Sequence, residues 1–143
     1  MLNADDRLEI MELSARYNWA VDTRDAEAYA GSFVADGVFD GGTEYLQGQE
    51  ALKEFVSVLA ASSKAAGLQH WTTNFVFHEL EPGRCEVRSY MMGPRDNGEQ
   101  VVVGVLAHYR DIVAKTTSGW RFESRTWREW TDIPSWPNSE QNS

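Results

Sequence analysis

The period at which apolar residues recur changes near residue 69, and this change divides the chain into two kinds of structure. Before it, apolar residues recur at three- and four-residue steps, which is typical of amphipathic helices. After it, runs of β-branched and aromatic residues are separated by turn residues, and Asn97-Gly98 is a strong hairpin signal. The sequence predicts helices over 5–22, 25–34 and 49–65, a short strand at Val38-Phe39, and long strands over 69–80, 85–93, 100–114 and 120–131.

Helices and strands that are segregated along the chain predict an α+β fold. Three N-terminal helices are expected to pack on one face of a curved, mixed, mainly antiparallel sheet. Such a sheet, closed by the helices, is expected to form a cone-shaped, β-barrel-like arrangement around an apolar cavity. Interiors of this kind are natural ligand sites. The 143 residues fit one domain over 1–131, and the polar, proline-containing tail over 132–143 is predicted to be disordered.

The composition argues against several classes of protein. The single cysteine, Cys85, cannot form an intramolecular disulfide, and no Cys/His cluster has the spacing of a zinc site. The net charge of −9 argues against a nucleic-acid partner. No apolar run has the length needed to cross a bilayer, and the N-terminus lacks a signal-peptide pattern. We therefore expect a cytoplasmic protein with no membrane partner, no metal and no cofactor.

Two acid–base residues occur within otherwise apolar elements. Asp22 closes the first predicted helix, and His70 opens the first long predicted strand. Each has an ordinary structural alternative: Asp22 as the N-cap of the next helix, and His70 as a core histidine with one satisfied hydrogen bond. If both side chains face one cavity, they form a general base and the carboxylate that orients it.

Tyr17 and Arg125 are further candidates for catalysis. Tyr17 lies on the apolar stripe of the first helix, and its hydroxyl needs a partner if it is buried. The alternation of the last strand puts Arg125 on the face of Glu123 and Trp127, opposite Phe122. The alternatives are a core tyrosine with its tip at the surface and a solvated strand arginine. By the same alternation, His108 and Tyr109 must point to opposite faces.

The heavy aromatic content, with six Trp, five Tyr and six Phe, suggests that some rings line a ligand cavity. For any single ring, a place in the core or in an oligomer interface is an equally good interpretation. The candidate substrate contacts are Asn74, Trp19, Phe39, Tyr90 and Phe55.

Five segments, in this order, resemble the SnoaL-like branch of the nuclear-transport-factor-2-like superfamily. Residues 10–25 resemble the family's first helix with its closing Asp-x-x-Asp, and 33–39 resemble the helix end and strand that follow. Residues 48–52 resemble the start of the third helix, 70–74 the His-x-x-Thr-Asn strand, and 119–122 the Gly-Trp-Arg-Ile last strand. The resemblance spans roughly residues 5–131 and implies the same fold.

The resemblance also implies roles for individual residues. Scytalone dehydratase, hexachlorocyclohexane dehydrochlorinase and bile-acid 7α-dehydratase share an Asp-His dyad at the places of Asp22 and His70. Tyr17 matches a tyrosine of the bile-acid enzyme, and Arg125 matches an arginine that the last two enzymes use. Ketosteroid isomerases instead place their basic acid near Asp40, which here precedes Gly41-Gly42 and could be a turn residue.

The function that this resemblance implies is a cofactor-independent lyase acting on a small, apolar, cyclic or aromatic substrate. In this hypothesis His70 removes a proton, Asp22 orients it, and Tyr17 and Arg125 stabilise the departing or developing oxygen anion. One alternative is an isomerase or cyclase of the polyketide or steroid type. The other is a non-catalytic subunit, like the β subunits of ring-hydroxylating dioxygenases. The resembling families form homodimers and homotrimers, so we expect a homo-oligomer.

Overall fold

The computed structural model describes residues 1–63 and 65–132. Three helices, α1 to α3, and six strands, β1 to β6, follow one another, and a 3₁₀ turn, Trp130–Asp132, ends the described chain. The tail predicted to be disordered lies outside these residues, apart from Asp132. The helices are Ala4–Thr23, Ala26–Gly31 and Gln49–Ala60, and the strands are Phe33–Asp40, Tyr45–Gln47, Trp71–Glu81, Arg84–Asp96, Val101–Thr116 and Gly119–Glu129.

The six strands form one curved sheet in the order β2-β1-β6-β5-β4-β3. All neighbouring pairs are antiparallel except β1 and β6, which are parallel. The α+β class and the mixed, mainly antiparallel sheet are therefore confirmed. The sheet does not close into a barrel, because β2 and β3 form its two edges. The predicted Asn97-Gly98 hairpin joins β4 to β5.

Two of the predicted helices are too long. Helix α2 ends at Gly31 rather than at 34, because Phe33 pairs with Phe122 and starts β1. Residues 33 and 34, predicted to be helical, therefore lie in a strand. Helix α3 ends at Ala60 rather than 65, and the chain then turns toward β4, where the Gly67 carbonyl accepts a hydrogen bond from Asp96 N–H. The three-residue strand β2 was not predicted.

Two bulges change which side chains face the helices. In β6 the register shifts between Phe122 and Ser124, which leaves Glu123 as the extra residue. The prediction that Arg125 and Phe122 lie on opposite faces is therefore wrong, because a bulge resets the alternation and both side chains are buried. In β3 the shift lies between Thr73 and Val76, and Asn74 there has a φ of 59°.

The helix-facing side of the sheet is packed with aromatic rings. Tyr17 of α1 contacts Tyr29, Phe33, Tyr109 and Phe122, with ring centroids 4.9 to 6.2 Å apart. All five rings are at least 96% buried. Because α1, α2, β1, β5 and β6 each supply a ring, this cluster fixes the position of α1 against the sheet.

The opposite side of the sheet exposes several large apolar side chains. They are Trp71, Val76, Tyr90 and Leu106, with 47 to 54% of each residue exposed. A contiguous apolar surface of this kind is usual where another chain packs. The homodimer or homotrimer that we expect stays a prediction.

The first turn of α1 is tied to the far end of the sheet by Asp6. Its carboxylate accepts hydrogen bonds from Lys115 Nζ at 2.8 Å and from Trp120 Nε1 at 3.0 Å. Asp6 and Asn3 also form a reciprocal capping box at the start of the helix. The hydrogen bonds from Lys115 and Trp120 lower the pKa of Asp6 to about 2.

We predict that Asp6→Asn lowers the free energy of unfolding at pH 7 by about 1 kcal/mol, because a charge-assisted contact becomes a neutral one. The pKa of Asp6 is depressed in the folded state, so its stabilisation is present above the unfolded pKa of 3.8 and is lost as the pH falls toward 2. Urea unfolding measured from pH 7 to pH 2.5 should show the free energies of unfolding of the unaltered protein and of Asp6→Asn converging below pH 4. Asp5→Asn, at the exposed neighbouring position, is the control, and a gap that stays constant down to pH 2.5 would contradict this prediction.

Candidate active site

Asp22 and His70 are in direct contact. Asp22 lies in the last turn of α1, and His70 comes directly before β3. Asp22 Oδ1 is 2.6 Å from His70 Nδ1, and Asp22 Oδ2 accepts a hydrogen bond of 3.0 Å from the backbone N–H of His70. One carboxylate therefore holds both the backbone and the ring of His70.

This contact determines how the imidazole is protonated when it is neutral. A carboxylate only accepts hydrogen bonds, so the proton is on Nδ1 and the lone pair is on Nε2. Nε2 makes no hydrogen bond to the described residues, and the side chain of His70 is 16% exposed. The arrangement is that of a general base whose orientation and tautomer are fixed by its partner.

The structural alternative for Asp22 is wrong. Asp25, and not Asp22, caps α2, since its side chain accepts a hydrogen bond from Ala28 N–H at 3.0 Å. Both oxygens of Asp22 are directed to His70 instead.

The segment before His70 is anchored on two sides. Gln69 N–H donates to the Pro94 carbonyl of β4 at 3.0 Å. Arg24, in the left-handed conformation at the end of α1, donates to the Val21 and Ala65 carbonyls. The end of α1 is therefore joined to the segment that leads into β3 by side chains that bind its backbone groups.

Arg125 lies at the centre of a second, fully buried cluster. It is 0% exposed, and its Nε and Nη2 donate to the two oxygens of Asp111 at 3.0 and 3.1 Å. Nη2 also donates to Ser14 Oγ at 3.0 Å. The guanidinium carbon lies 3.6 Å from the ring centroid of Tyr109 and 4.3 Å from that of Tyr17. The cation is thus held by one carboxylate and by aromatic faces.

The buried pair remains ionised at neutral pH. Burial raises the pKa of Asp111 to about 6, although the guanidinium of Arg125 acts in the opposite direction. For Arg125, burial lowers the pKa, but Asp111 and the two tyrosines outweigh it, so the pKa is raised. Arg125 Nη1 is buried and has no hydrogen-bond partner among the described residues. The cluster therefore keeps one unused donor.

Tyr17 belongs to the cluster of Arg125 and not to the Asp22–His70 pair. Its hydroxyl lies 3.4 Å from that of Tyr29, and it makes no hydrogen bond to Asp22 or His70. Burial raises the pKa of Tyr17 well above its usual range, so the phenol stays protonated and can donate. The four catalytic candidates therefore form two pairs, both between α1 and the sheet.

Two of the five candidate substrate contacts are inside the molecule. Phe39 of β1 is buried and stacks on Phe55 of α3, with ring centroids 6.0 Å apart. Phe55 also packs on Tyr29 at 6.0 Å. Both rings lie between α3 and the sheet, and their role as substrate contacts stays a prediction.

The other three candidates lie on the outside, and as cavity contacts they are wrong. Trp19 is 73% exposed, because it lies on the helix face away from Tyr17. Tyr90 is 47% exposed and packs edge-on against Trp130, because even-numbered residues of β4 face away from the helices. Asn74 is exposed because the β3 bulge ends the alternation that started at His70.

Asp40 has a structural role. Arg128 Nη1 and Nη2 donate to its two oxygens at 3.1 and 2.9 Å, and Gly42 N–H donates to Oδ1 at 3.0 Å. The Arg128 hydrogen bond is the main reason that the pKa of Asp40 is lowered. Asp40 is therefore an ion-paired turn residue, not a free base of the ketosteroid-isomerase kind.

No site role was predicted for Asp111, Ser14, Asn18 or Thr72. Asp111 was detectable as a carboxylate in a long strand rich in apolar residues, because a buried carboxylate needs a partner. Asn18 was detectable as the residue one helical turn before Asp22.

The described residues contain no helix long and apolar enough to cross a membrane. In the same part of the chain, no three His, Cys, Asp or Glu side chains come together as a metal site would need.

Comparisons with known proteins agree on the family and the fold. The sequence profile of the SnoaL-like domain matches residues 3–126. A proposed aromatic ring hydroxylase from Novosphingobium aromaticivorans is 26% identical, with 100% of both chains covered and a TM-score of 0.80. An NTF2-like protein with a cystatin-like fold from that organism is 24% identical over 92% of this chain and 86% of its own, with a TM-score of 0.80.

A proposed scytalone dehydratase from the same organism is 21% identical, with 89% of this chain and 88% of its own covered and a TM-score of 0.73. The two neighbours below 25% identity support the fold alone. No curated protein sequence matches this chain.

We predict that neutral His70 carries its proton on Nδ1, and that Asp22→Asn moves it to Nε2. The backbone N–H of His70 still needs an acceptor, so the amide oxygen binds it and the amide NH2 group donates to Nδ1. The ¹⁵N chemical shifts of the ring nitrogens distinguish the two tautomers. The exposed His78 is the internal control, and an Nε2–H tautomer in the unaltered protein would contradict the assignment.

We predict that Asp111→Leu lowers the free energy of unfolding by about 3–5 kcal/mol, because it leaves the Arg125 cation buried without its carboxylate. The double variant Asp111→Leu/Arg125→Met should be more stable than that single variant, because it buries no charge. Urea unfolding at pH 7 measures the free energy of unfolding of the single and the double variant. A double variant that is less stable than Asp111→Leu would show that the ion pair is not what the substitution disrupts.

Proposed function

Because the chain belongs to the SnoaL-like domain family, we propose that it is a cofactor-independent lyase that acts on a small, mostly apolar, cyclic or aromatic substrate. The observation that carries this proposal is the 2.6 Å contact between Asp22 Oδ1 and His70 Nδ1. A carboxylate–imidazole pair whose Nε2 binds nothing among residues 1–63 and 65–132 is an arrangement suited to removing a proton from carbon.

The proposed reaction is a β-elimination. His70 Nε2 takes a proton from a carbon next to a carbonyl group, and Asp22 stabilises the imidazolium that forms. The C–H electron pair becomes the new carbon–carbon double bond as the hydroxyl group on the next carbon departs with its bonding pair. The imidazolium returns the proton to this hydroxyl, so that water leaves and the base is restored.

The second cluster supplies stabilisation for the oxygen. The unused Nη1 donor of Arg125 and the protonated hydroxyl of Tyr17 are the groups that we assign to the carbonyl oxygen as negative charge develops on it. Asp111 and Ser14 already hold the guanidinium in place, so it does not need to reorganise during the reaction. Phe39 and Phe55 supply apolar surface for the ring of the substrate.

An isomerase or cyclase would use the same pair differently. His70 would return the proton to another carbon, and the mass of the product would equal that of the substrate. The ion pair between Asp40 and Arg128 argues against the steroid-isomerase version, which needs a free acid at that place. The mass of the product therefore distinguishes the two proposals, and ligand binding without any turnover would support the non-catalytic subunit.

We predict that His70→Ala lowers kcat by ~10²- to 10⁴-fold, which is the usual contribution of a general base. Cyclic β-hydroxyketones are screened for loss of one water by mass spectrometry. His78→Ala, which removes an exposed histidine of β3, should keep full activity. Full activity in a folded His70→Ala protein would exclude this mechanism.

A further inference from the structure

Two parallel side-chain contacts join α1 to the start of β3. One is the Asp22–His70 pair. The other is formed by Asn18, one helical turn earlier, whose Nδ2 donates to Thr72 Oγ1 at 2.9 Å, two residues after His70. Because the helix repeats after about four residues and the strand after two, Asn18 and Asp22 lie side by side, opposite Thr72 and His70.

The two contacts differ in how fully they use their polar atoms. Both oxygens of Asp22 are hydrogen-bonded. Asn18 uses only its NH2 group, and its Oδ1 is buried and has no hydrogen-bond partner within the described part of the chain. The residue is 7% exposed. A buried carbonyl oxygen without a partner is costly and rare, so one beside a general base requires an explanation.

Two further unpartnered polar atoms lie on the helix-facing side of the sheet. Ser89 of β4 is 2% exposed, and its Oγ has no partner among the described residues. It lies two residues from Met91, which pairs with Thr72. The third atom is Arg125 Nη1 on β6. An acceptor, a hydroxyl and a donor are therefore available on the helix-facing side of the sheet.

We propose that Asn18 determines substrate specificity by accepting a hydrogen bond through Oδ1 from a hydroxyl group on the ring of the substrate. An amide oxygen can only accept, so its complement must be a donor. The ligand class is a hydroxylated cyclic ketone, with its hydroxyl toward α1 and its carbonyl oxygen toward Arg125. This inference rests on the proposed function for the orientation of the carbonyl group.

The test compares two variants that break the same contact from opposite sides. Asn18→Leu removes Oδ1 together with the contact to Thr72, and Thr72→Val removes the contact but leaves Oδ1. The probes are the 5-, 6- and 7-hydroxy-1-tetralones and their methyl ethers, which lack the donor. Calorimetric dissociation constants are measured for each protein with each probe.

The unaltered protein and Thr72→Val should bind one hydroxytetralone ~10-fold more tightly than its ether, and Asn18→Leu should lose this preference. Equal losses in the two variants, or no preference for a hydroxyl group in the unaltered protein, including no binding of any probe, would overturn the proposal. Because the readout is a dissociation constant, it does not depend on turnover by His70, which the His70→Ala assay decides separately.

A measurement on the unaltered protein covers the case in which Asn18→Leu does not fold. The ¹³Cγ resonance of Asn18 should shift when the preferred hydroxytetralone is added and should not shift with its methyl ether. The same shift with both probes, or with neither, would overturn the assignment of Oδ1 as the hydroxyl acceptor.

Discussion

The Arg125 guanidinium in the middle of the core is the constraint on which the surrounding structure depends. A cation that is 0% exposed is tolerated only if its neighbours replace the water it has lost. Asp111 must therefore lie opposite it on β5, Ser14 must face it from α1, and Tyr17 and Tyr109 must present their ring faces to it. These demands fix the rotation of α1 and the register of β5 against β6. The buried charge therefore fixes the orientation of α1, the helix that carries Asp22.

Helix α1 carries a polar side chain for each part of the sheet that it crosses. Asp6 binds Lys115 and Trp120 at one end, Ser14 binds Arg125 in the middle, and Asp22 binds His70 at the other end. The helix is therefore held by directional contacts along its length, in addition to apolar packing. This explains why a carboxylate in its last turn, where the helix dipole is unfavourable for an anion, is held within hydrogen-bond distance of the ring.

The sequence predicted the pairing of Asp22 with His70 because the resemblance to a known family supplied what spacing could not. The order of the helices and long strands followed from periodicity alone. The bulges were not predictable: one extra residue at Glu123 places Phe122 and Arg125 on one face, and the bulge at Asn74 turns that side chain outward. Trp19 and Tyr90 were placed wrongly for a related reason: the aromatic character of a side chain does not show which face of a helix or strand it occupies. Asp111 and Ser14, which bind Arg125, were missed because they come from two other segments, β5 and α1.

The contacts of α1 with the sheet have a consequence for how the protein acquires its activity. The Asp22–His70 bond joins residues 48 positions apart, and the bonds from Trp120 to Asp6 and from Arg125 to Ser14 span 114 and 111 positions. Closing such long loops is slow compared with forming a helix or a hairpin. The helix and the hairpins can therefore form before the candidate site exists, and the imidazole gains its carboxylate only when α1 docks against the start of β3. A nascent chain lacking β6 would contain both Asp22 and His70 and still lack the buried Arg125, which orients α1.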